Sequence, residues 1–224
     1  MFFDEKSETA VNLHGPAGLL ESKIVSVDGI QHERTVAIIC HPHPQFGGTM
    51  ENKVVTTLAR TFRDLGVPSV RFNFRGVGRS EGDFDNTVGE TEDLLAIVNW
   101  VIEQEPNAKL WIAGFSFGSY VALDAVLKLG AQYVEQLILV APAVPKYDAN
   151  KCLPQGVPVL IIQGDKDEVI APEDVYAWLH WQTAEYELVR LAEAGHFFHG
   201  MLVDMKHQLI ASLKNVHAYL SSPK

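Results

Sequence analysis

KLWIAGFSFGSYVALDAVLKL, residues 109–129, decides the fold that the chain can adopt. Its first seven residues form a short apolar run that predicts a buried strand, and its second half has the pattern of a helix. The turn between them, GFSFG at 114–118, has the Gly-x-Ser-x-Gly spacing. A turn this tight leaves no room for a Cβ atom two positions before or after Ser116, which explains both glycines. Ser119, three residues on, is expected to pack within the helix.

Similar apolar runs recur along the chain and alternate with helical patterns. The runs are TVAIIC (35–40), PSVRFNF (68–74), KLWIAGF (109–115), EQLILVA (135–141) and VPVLIIQ (157–163). Continuous apolar runs of this kind are typical of strands covered on both faces. Between the runs, apolar residues recur at helical spacing, for example over 54–65 and from 202 to the C-terminus. We therefore predict an α/β fold with a mostly parallel, doubly wound sheet flanked by helices, and an antiparallel hairpin near 10–27.

Length and composition predict one domain without a membrane span. A chain of 224 residues can bury one large core, so residues 1–224 are expected to form a single domain. The formal net charge of −10 would repel a phosphate backbone, which argues against nucleic-acid binding. The start MFFDEKSETA lacks the basic and apolar regions of a secretory signal, and no stretch approaches about 18 apolar residues, so we expect a cytoplasmic protein. Cys40 and Cys152 are expected to be reduced structural thiols.

Ser116 needs a base to become a nucleophile, and the base needs an acid to orient it. Two downstream loops offer both groups, GDKDEV at 164–169 and AGH at 194–196, and each follows a predicted strand. Asp167 is the predicted acid because it lies deeper in its loop, whereas Asp165 follows a glycine and is expected to cap the turn. His196 is the predicted base, with His199 as the competing candidate. The order Ser, Asp, His is the one expected for this turn on this type of sheet.

CHPHPQFGGTM, residues 40–50, follows the run at 35–40 and precedes a helix that we expect to begin near Met50. Its position places His41 and His43 at the carboxyl edge of the sheet, beside Ser116. Two histidines at i and i+2 could ligate a metal, but neither has a third ligand nearby in sequence, so we predict no metal site. A purely structural turn without a catalytic role remains an alternative.

Together these segments resemble the α/β-hydrolase superfamily, from about residue 20 to the C-terminus. GFSFG, GDKDEV, AGH and RFNFRGVGRSEG (71–82) carry the resemblance, and CHPHPQFGGTMENKVV with HFFHG (196–200) is similar to small bacterial hydrolases without a lid. The resemblance implies a catalytic triad of Ser116, Asp167 and His196. A cap domain would enter after the run 135–141, but only about 15 residues separate this run from the next, so no cap domain is expected.

The resemblance also implies an oxyanion hole made of two backbone N–H groups. One belongs to Phe117, after the nucleophile, and the other to the loop that begins at His41. Many relatives have His-Gly in that loop, whereas this chain has prolines at 42 and 44, which have no N–H to donate. The predicted second donor is therefore His43, with Gln45 as the alternative. Phe46 and Phe197, close to these positions, are predicted to line an apolar substrate-binding groove.

The expected activity is that of a serine esterase: cleavage of a carboxylic ester or thioester of a small apolar acyl group through an acyl-enzyme on Ser116. The alternatives are a non-catalytic binding protein of the same fold and a peptidase. The expected partner is a small-molecule substrate, with no cofactor, no metal, no nucleic acid and no membrane. The oligomeric state stays open between monomer and homodimer.

Overall fold

The computed structural model of the protein describes residues 8–27 and 35–220, with side chains as far as residue 213. Eight strands form one sheet in the order β1-β2-β4-β3-β5-β6-β7-β8. They are β1 Glu8–Gly15, β2 Gly18–Val25, β3 Thr35–Cys40, β4 Ser69–Phe72, β5 Lys109–Phe115, β6 Val134–Val140, β7 Val159–Gly164 and β8 Tyr186–Leu191. The hairpin β1–β2 is antiparallel and pairs antiparallel with β4, while the strands from β4 to β8 are parallel. The predicted, mostly parallel sheet is thus confirmed.

Helices cover both faces of the sheet. They are α1 Lys53–Asp64, α2 Val88–Gln104, α3 Phe117–Leu129, α4 Val144–Asp148, α5 Pro172–His180 and α6 Leu202–Leu220. Apolar residues of α2, α3 and α5 pack in one core, and those of α1 and α6 pack in a second core on the opposite face. Side chains of α6 after residue 213 lie outside the described ones.

The continuous apolar runs are explained by these two cores. In β3, Val36 and Ile38 face the first core, whereas Ala37 and Ile39 face the second, and all four are buried. Successive side chains of a strand point to opposite faces, so a strand covered on both sides needs apolar residues at every position.

Two strands and one helix begin at other residues than predicted, because of proline at the strand starts and of a capping side chain at the helix start. The runs at 68–74 and 157–163 begin before β4 and β7, which start at Ser69 and Val159. Pro68 and Pro158 have no N–H for the ladder and contribute only their carbonyl groups, which accept the N–H groups of Ala37 (2.9 Å) and Leu137 (3.0 Å). The first helix begins at Lys53 rather than near Met50, because the Asn52 side chain caps it by accepting the Val54 N–H (2.8 Å).

The segment between β6 and β7 contains only α4, five residues long, which agrees with the predicted absence of a cap domain. Among the described helices, none combines the length and the mean hydropathy needed to cross a bilayer. All loops that follow the parallel strands meet at the carboxyl edge of the sheet, where the predicted site residues lie.

Candidate active site

Ser116 lies at the turn between β5 and α3 with φ 55° and ψ −116°, a backbone conformation that costs free energy for a residue with a side chain. The glycines around it are required by space. A Cβ atom on Gly114 would lie 2.1 Å from the Gly118 carbonyl oxygen, and one on Gly118 would lie 2.5 Å from the His41 carbonyl oxygen. Because Gly118 has no Cβ atom, the start of α3 can approach the backbone of the loop after β3 closely.

Ser119 fixes the carbonyl group of the strained turn. Its hydroxyl donates to the Ser116 carbonyl oxygen and accepts the Ala143 N–H (3.1 Å). Ser119 therefore links the Ser116 turn to the segment after β6, a role beyond the helix packing that the sequence predicted.

His196 connects Ser116 to Asp167. Its Nε2 lies 3.0 Å from the Ser116 Oγ, and its Nδ1 lies 2.8 Å from the Asp167 Oδ2. With Nδ1 protonated and donating to the carboxylate, Nε2 is free to accept the serine proton. The competing candidate, His199, is exposed and its ring stacks near that of Phe197.

The Asp167 carboxylate is held by four donors. Its Oδ1 accepts the N–H groups of Val169 (2.9 Å) and Ile170 (2.7 Å), and its Oδ2 accepts from His196 and from the Gln163 Nε2 (3.2 Å). Burial by itself would raise the pKa of Asp167, but the bonds from His196 and the two N–H groups outweigh burial and lower it. The acid therefore stays ionised beside His196.

Asp165 points to a different place, although it is only two residues away. Its carboxylate accepts from the Tyr176 hydroxyl and from the Arg190 guanidinium at 2.9 and 3.0 Å. The bond from Arg190 lowers the pKa of Asp165. These contacts join the loop after β7 to α5 and β8, so Asp165 is structural.

Two further side chains support this arrangement, and no sequence motif marks them. Gln163, buried at the end of β7, donates to Asp167, while its own Oε1 has no hydrogen-bond partner among the described residues. Glu168 accepts the His196 N–H (3.1 Å) and lies so close that a Cβ atom on Gly195 would be 2.7 Å from its Oε2. A side chain at position 195 would therefore displace the Glu168 carboxylate from the His196 N–H.

His41 is buried and holds the loop after β3. Its Nδ1 donates to the Pro42 carbonyl oxygen (2.6 Å), and its Nε2 accepts the Phe74 N–H (3.0 Å). Burial lowers the pKa of His41 to about 4, so the ring is neutral. Both ring nitrogens are occupied by the fold, which leaves neither for a metal. No group of three or more potential metal ligands occurs in the described part of the chain.

The two predicted backbone donors of this loop differ in their contacts. The Gln45 N–H already donates to the His43 Nδ1 (3.2 Å). Nothing within the described ranges accepts the His43 N–H, while the His43 carbonyl oxygen accepts from Phe46 and Gly48. Phe117 is the first residue of α3, so its N–H has no acceptor within the helix. The N–H groups of His43 and Phe117 thus both lack a backbone partner within their own elements, as a donor to a ligand requires.

Comparisons with known proteins show the family of the chain. The Hydrolase_4 family model, described as "Serine aminopeptidase, S33", matches residues 31–155, more than half of the chain. The chain belongs to the α/β serine hydrolases. It is 46% identical to an α/β serine hydrolase homologue from Coxiella burnetii, covering 92% of this chain and 97% of that one with a TM-score of 0.85. It is 39% identical to an α/β serine hydrolase without lid from Xanthomonas campestris, covering 99% of each chain with a TM-score of 0.87. A protein of Rickettsia prowazekii is 36% identical over 169 residues, which are 74% of this chain and 69% of that one.

Aromatic rings surround the two N–H donors of this α/β hydrolase. The His43 ring lies 4.7 Å from Phe46, 5.1 Å from Phe84 and 5.0 Å from Phe117, measured between ring centroids. Phe46 is 86% exposed and Phe197 is 39% exposed, so both predicted substrate contacts offer apolar surface. Phe115, Phe117 and Phe198, also near the site, are buried, and Phe84 is half-buried.

The helix α4 of the hydrolase places a lysine at the same edge of the sheet. The Lys146 Nζ donates to the Val169 carbonyl oxygen (3.4 Å), in the loop that holds Asp167. Burial, together with the charge of Lys146, lowers the pKa of His43 in the loop on the other side of Ser116. Lys146 therefore lies near both loops that flank Ser116.

Proposed function

We propose that the protein is a serine esterase that cleaves a carboxylic ester or thioester of a small, apolar acyl group. The observation that carries the proposal is the continuous chain of hydrogen bonds from Ser116 through His196 to Asp167, with distances of 3.0 and 2.8 Å. The family supplies the hydrolase chemistry, and the class of bond cleaved is the proposal.

In the proposed reaction, the Ser116 Oγ attacks the acyl carbon while the His196 Nε2 takes its proton. The negative charge that develops on the acyl oxygen is stabilised by the N–H groups of His43 and Phe117, each of which is without another acceptor. The ionised Asp167 stabilises the imidazolium that forms. The imidazolium then protonates the leaving alcohol or thiol, and the acyl-enzyme remains on Ser116.

In the second half of the proposed cycle, water hydrolyses the acyl-enzyme. His196 takes a proton from the water, the resulting hydroxide attacks the acyl carbon, and Ser116 is released with its proton restored. The acid product leaves last. Both half-reactions use the same base and the same two backbone donors.

A small apolar acyl group is favoured by the surroundings of Ser116. Phe46 and Phe197 expose apolar surface beside it, and the five-residue α4 stands where a cap domain would otherwise cover the site. A groove open to water in this way suits a short chain better than a long one.

A peptidase is the second candidate, because the family model that matches the chain is described as a serine aminopeptidase. A non-catalytic binding protein is disfavoured by the complete Ser116–His196–Asp167 arrangement. p-Nitrophenyl esters of two to eight acyl carbons and aminoacyl p-nitroanilides separate these possibilities.

We expect hydrolysis of the shorter esters, with losses of more than about 10³-fold in Ser116→Ala and His196→Ala. Cleavage of the anilides without cleavage of any ester would make the protein a peptidase. Hydrolysis of neither class, with no acyl-enzyme burst, would contradict the proposal.

A further inference from the structure

We propose that Lys146 binds an anionic group of the substrate, so that the preferred ester or thioester carries a carboxylate. The proposal rests on the proposed function, because it names the substrate class of the same site. It is argued from the position of α4, the contacts of the Lys146 side chain and the charge around it.

The backbone of α4 is fixed directly against the Ser116 turn. The Ala143 N–H lies 3.4 Å from the Ser116 carbonyl oxygen and 3.1 Å from the Ser119 Oγ, and the Lys146 N–H donates to the Ala143 carbonyl oxygen (3.0 Å). On the next residue, the Tyr147 ring packs 5.6 Å from Phe117, the first residue of α3. Lys146 is therefore three residues from Ala143, whose N–H contacts the carbonyl oxygen of the proposed nucleophile, Ser116.

The side chain extends from this anchor to the loop after β7. Its Nζ donates to the Val169 carbonyl oxygen at 3.4 Å, and the Val169 N–H in turn donates to the Asp167 Oδ1 at 2.9 Å. In the strand order, β6 lies between β5, which carries Ser116, and β7, which carries Asp167. The ammonium group thus lies at the loop after β7, at the sheet edge that also carries Ser116 and Asp167.

The charge of Lys146 has no carboxylate partner in the described part of the chain. No carboxylate oxygen there lies within 4.0 Å of its Nζ, whereas Lys151, five residues on, pairs with Asp124 at 2.6 Å. One long bond to a carbonyl leaves N–H donors of the ammonium group available to a ligand. Because the protein carries a formal net charge of −10, an anionic substrate is repelled elsewhere and needs a local cation.

The His43 and Tyr147 rings both contact Phe117, and Phe46 contacts His43, so these rings supply the apolar part of the proposed site. An ester with an apolar chain that ends in a carboxylate would place the chain against these rings and the carboxylate at Lys146. The proposal leaves open whether the carboxylate belongs to the acyl or to the leaving group, and two substrate pairs distinguish them.

The test compares an anionic ester with its neutral isostere. Monomethyl adipate against methyl 6-methylheptanoate places the carboxylate on the acyl side, and 4-carboxyphenyl butyrate against 4-nitrophenyl butyrate places it on the leaving side. The measured quantity is the ratio of kcat/KM for the anionic ester to kcat/KM for the neutral one. Lys146→Met should lower this ratio by about fivefold in one pair, and added salt should lower it in the parent.

Lys166→Met is the matched control. Lys166 is an exposed lysine too, but it belongs to the loop after β7 and pairs with Glu193. Lys166→Met therefore removes one positive charge nearby without touching the proposed site. A ratio lowered in Lys146→Met and retained in Lys166→Met supports the proposal. Equal ratios in the parent and both variants, for both substrate pairs, overturn it while leaving the esterase function intact.

Binding tests the proposal separately from catalysis. Each anionic ester, monomethyl adipate or 4-carboxyphenyl butyrate, is titrated into Ser116→Ala and into the same variant with Lys146→Met, and NMR shifts give the affinities. Weaker binding in the double variant supports the role of Lys146, whether or not an ester is hydrolysed. A lack of hydrolysis would contradict only the proposed function. Equal affinities of the two variants for both anionic esters overturn the role of Lys146.

Discussion

Replacing His43 by proline tests the role of its N–H group with little other change. The backbone of His43 has a φ of −51°, within the range that proline fixes. Its N–H has no acceptor among the described residues, so the fold loses no backbone hydrogen bond in His43→Pro. His43→Ala is the matched control, because it removes the same imidazole, and with it the acceptor for the Gln45 N–H, but keeps the N–H.

The size of the effect follows from the number of donors. Two N–H groups, from His43 and Phe117, are available to the oxyanion, and His43→Pro removes one of them. Removal of one such donor typically costs about 2.7–4 kcal/mol of transition-state stabilisation, or about 10²–10³ in kcat. His43→Ala should retain much of the parent's activity, since it loses ring contacts and one exposed hydrogen bond only.

Steady-state kinetics on a short p-nitrophenyl ester give kcat for the parent and both variants, and urea unfolding shows whether each variant is folded. We expect the kcat of His43→Pro to lie at least 100-fold below that of His43→Ala. If the two folded variants differ by less than threefold, the His43 N–H is not a donor to the transition state. If His43→Ala instead loses as much as His196→Ala, the imidazole has a catalytic role.

Three further predictions follow from single contacts. Gly48→Ala places a Cβ atom 2.0 Å from the Pro42 carbonyl oxygen, on the peptide that carries the proposed donor, so kcat should fall by about 100-fold. Gly47→Ala meets no atom within 4 Å but strains a left-handed backbone with φ 78°, so it should lower stability and retain kcat. Asp167→Asn should lower kcat by about 10⁴ and Asp165→Asn by less than tenfold, as measured with the same ester. The pKa of His41 is about 4 in the folded protein and about 6.5 in the unfolded chain, so the unfolded chain binds more protons between these pH values. The free energy of unfolding, measured with urea, should therefore fall by about 3 kcal/mol as the pH is lowered from 6.5 to 4. An unchanged free energy of unfolding would contradict this prediction.

The fold could be predicted from the sequence because its strongest signals are local. The run at 35–40 gives the bounds of β3, since each residue from Val36 to Cys40 faces one of two cores. The run at 68–74 predicts a longer strand than β4. Its last residues leave the ladder, because the Phe74 N–H donates to the His41 side chain, 33 residues away in sequence. The periodicity of apolar residues along the sequence cannot reveal a hydrogen-bond partner so far away in the chain.

The site was predictable only where a motif constrains the backbone. Gly114 and Gly118 mark the Ser116 turn because no other residue fits there. Gln163 and Lys146 carry no such mark, since their roles come from the strand order, which brings the loops after β3, β5, β6 and β7 to one edge. The single-domain organisation and the catalytic roles of the site residues stay predictions.

The central claim is that Ser116 is an activated nucleophile. The most direct test is to treat the intact protein with a fluorophosphonate, which phosphonylates activated serines, and to locate the adduct by peptide mass spectrometry. We predict one adduct, on Ser116, that is absent from Ser116→Ala and greatly slowed in His196→Ala. An unlabelled parent protein, or a Ser116→Ala variant that takes up label as fast as the parent, would contradict the account.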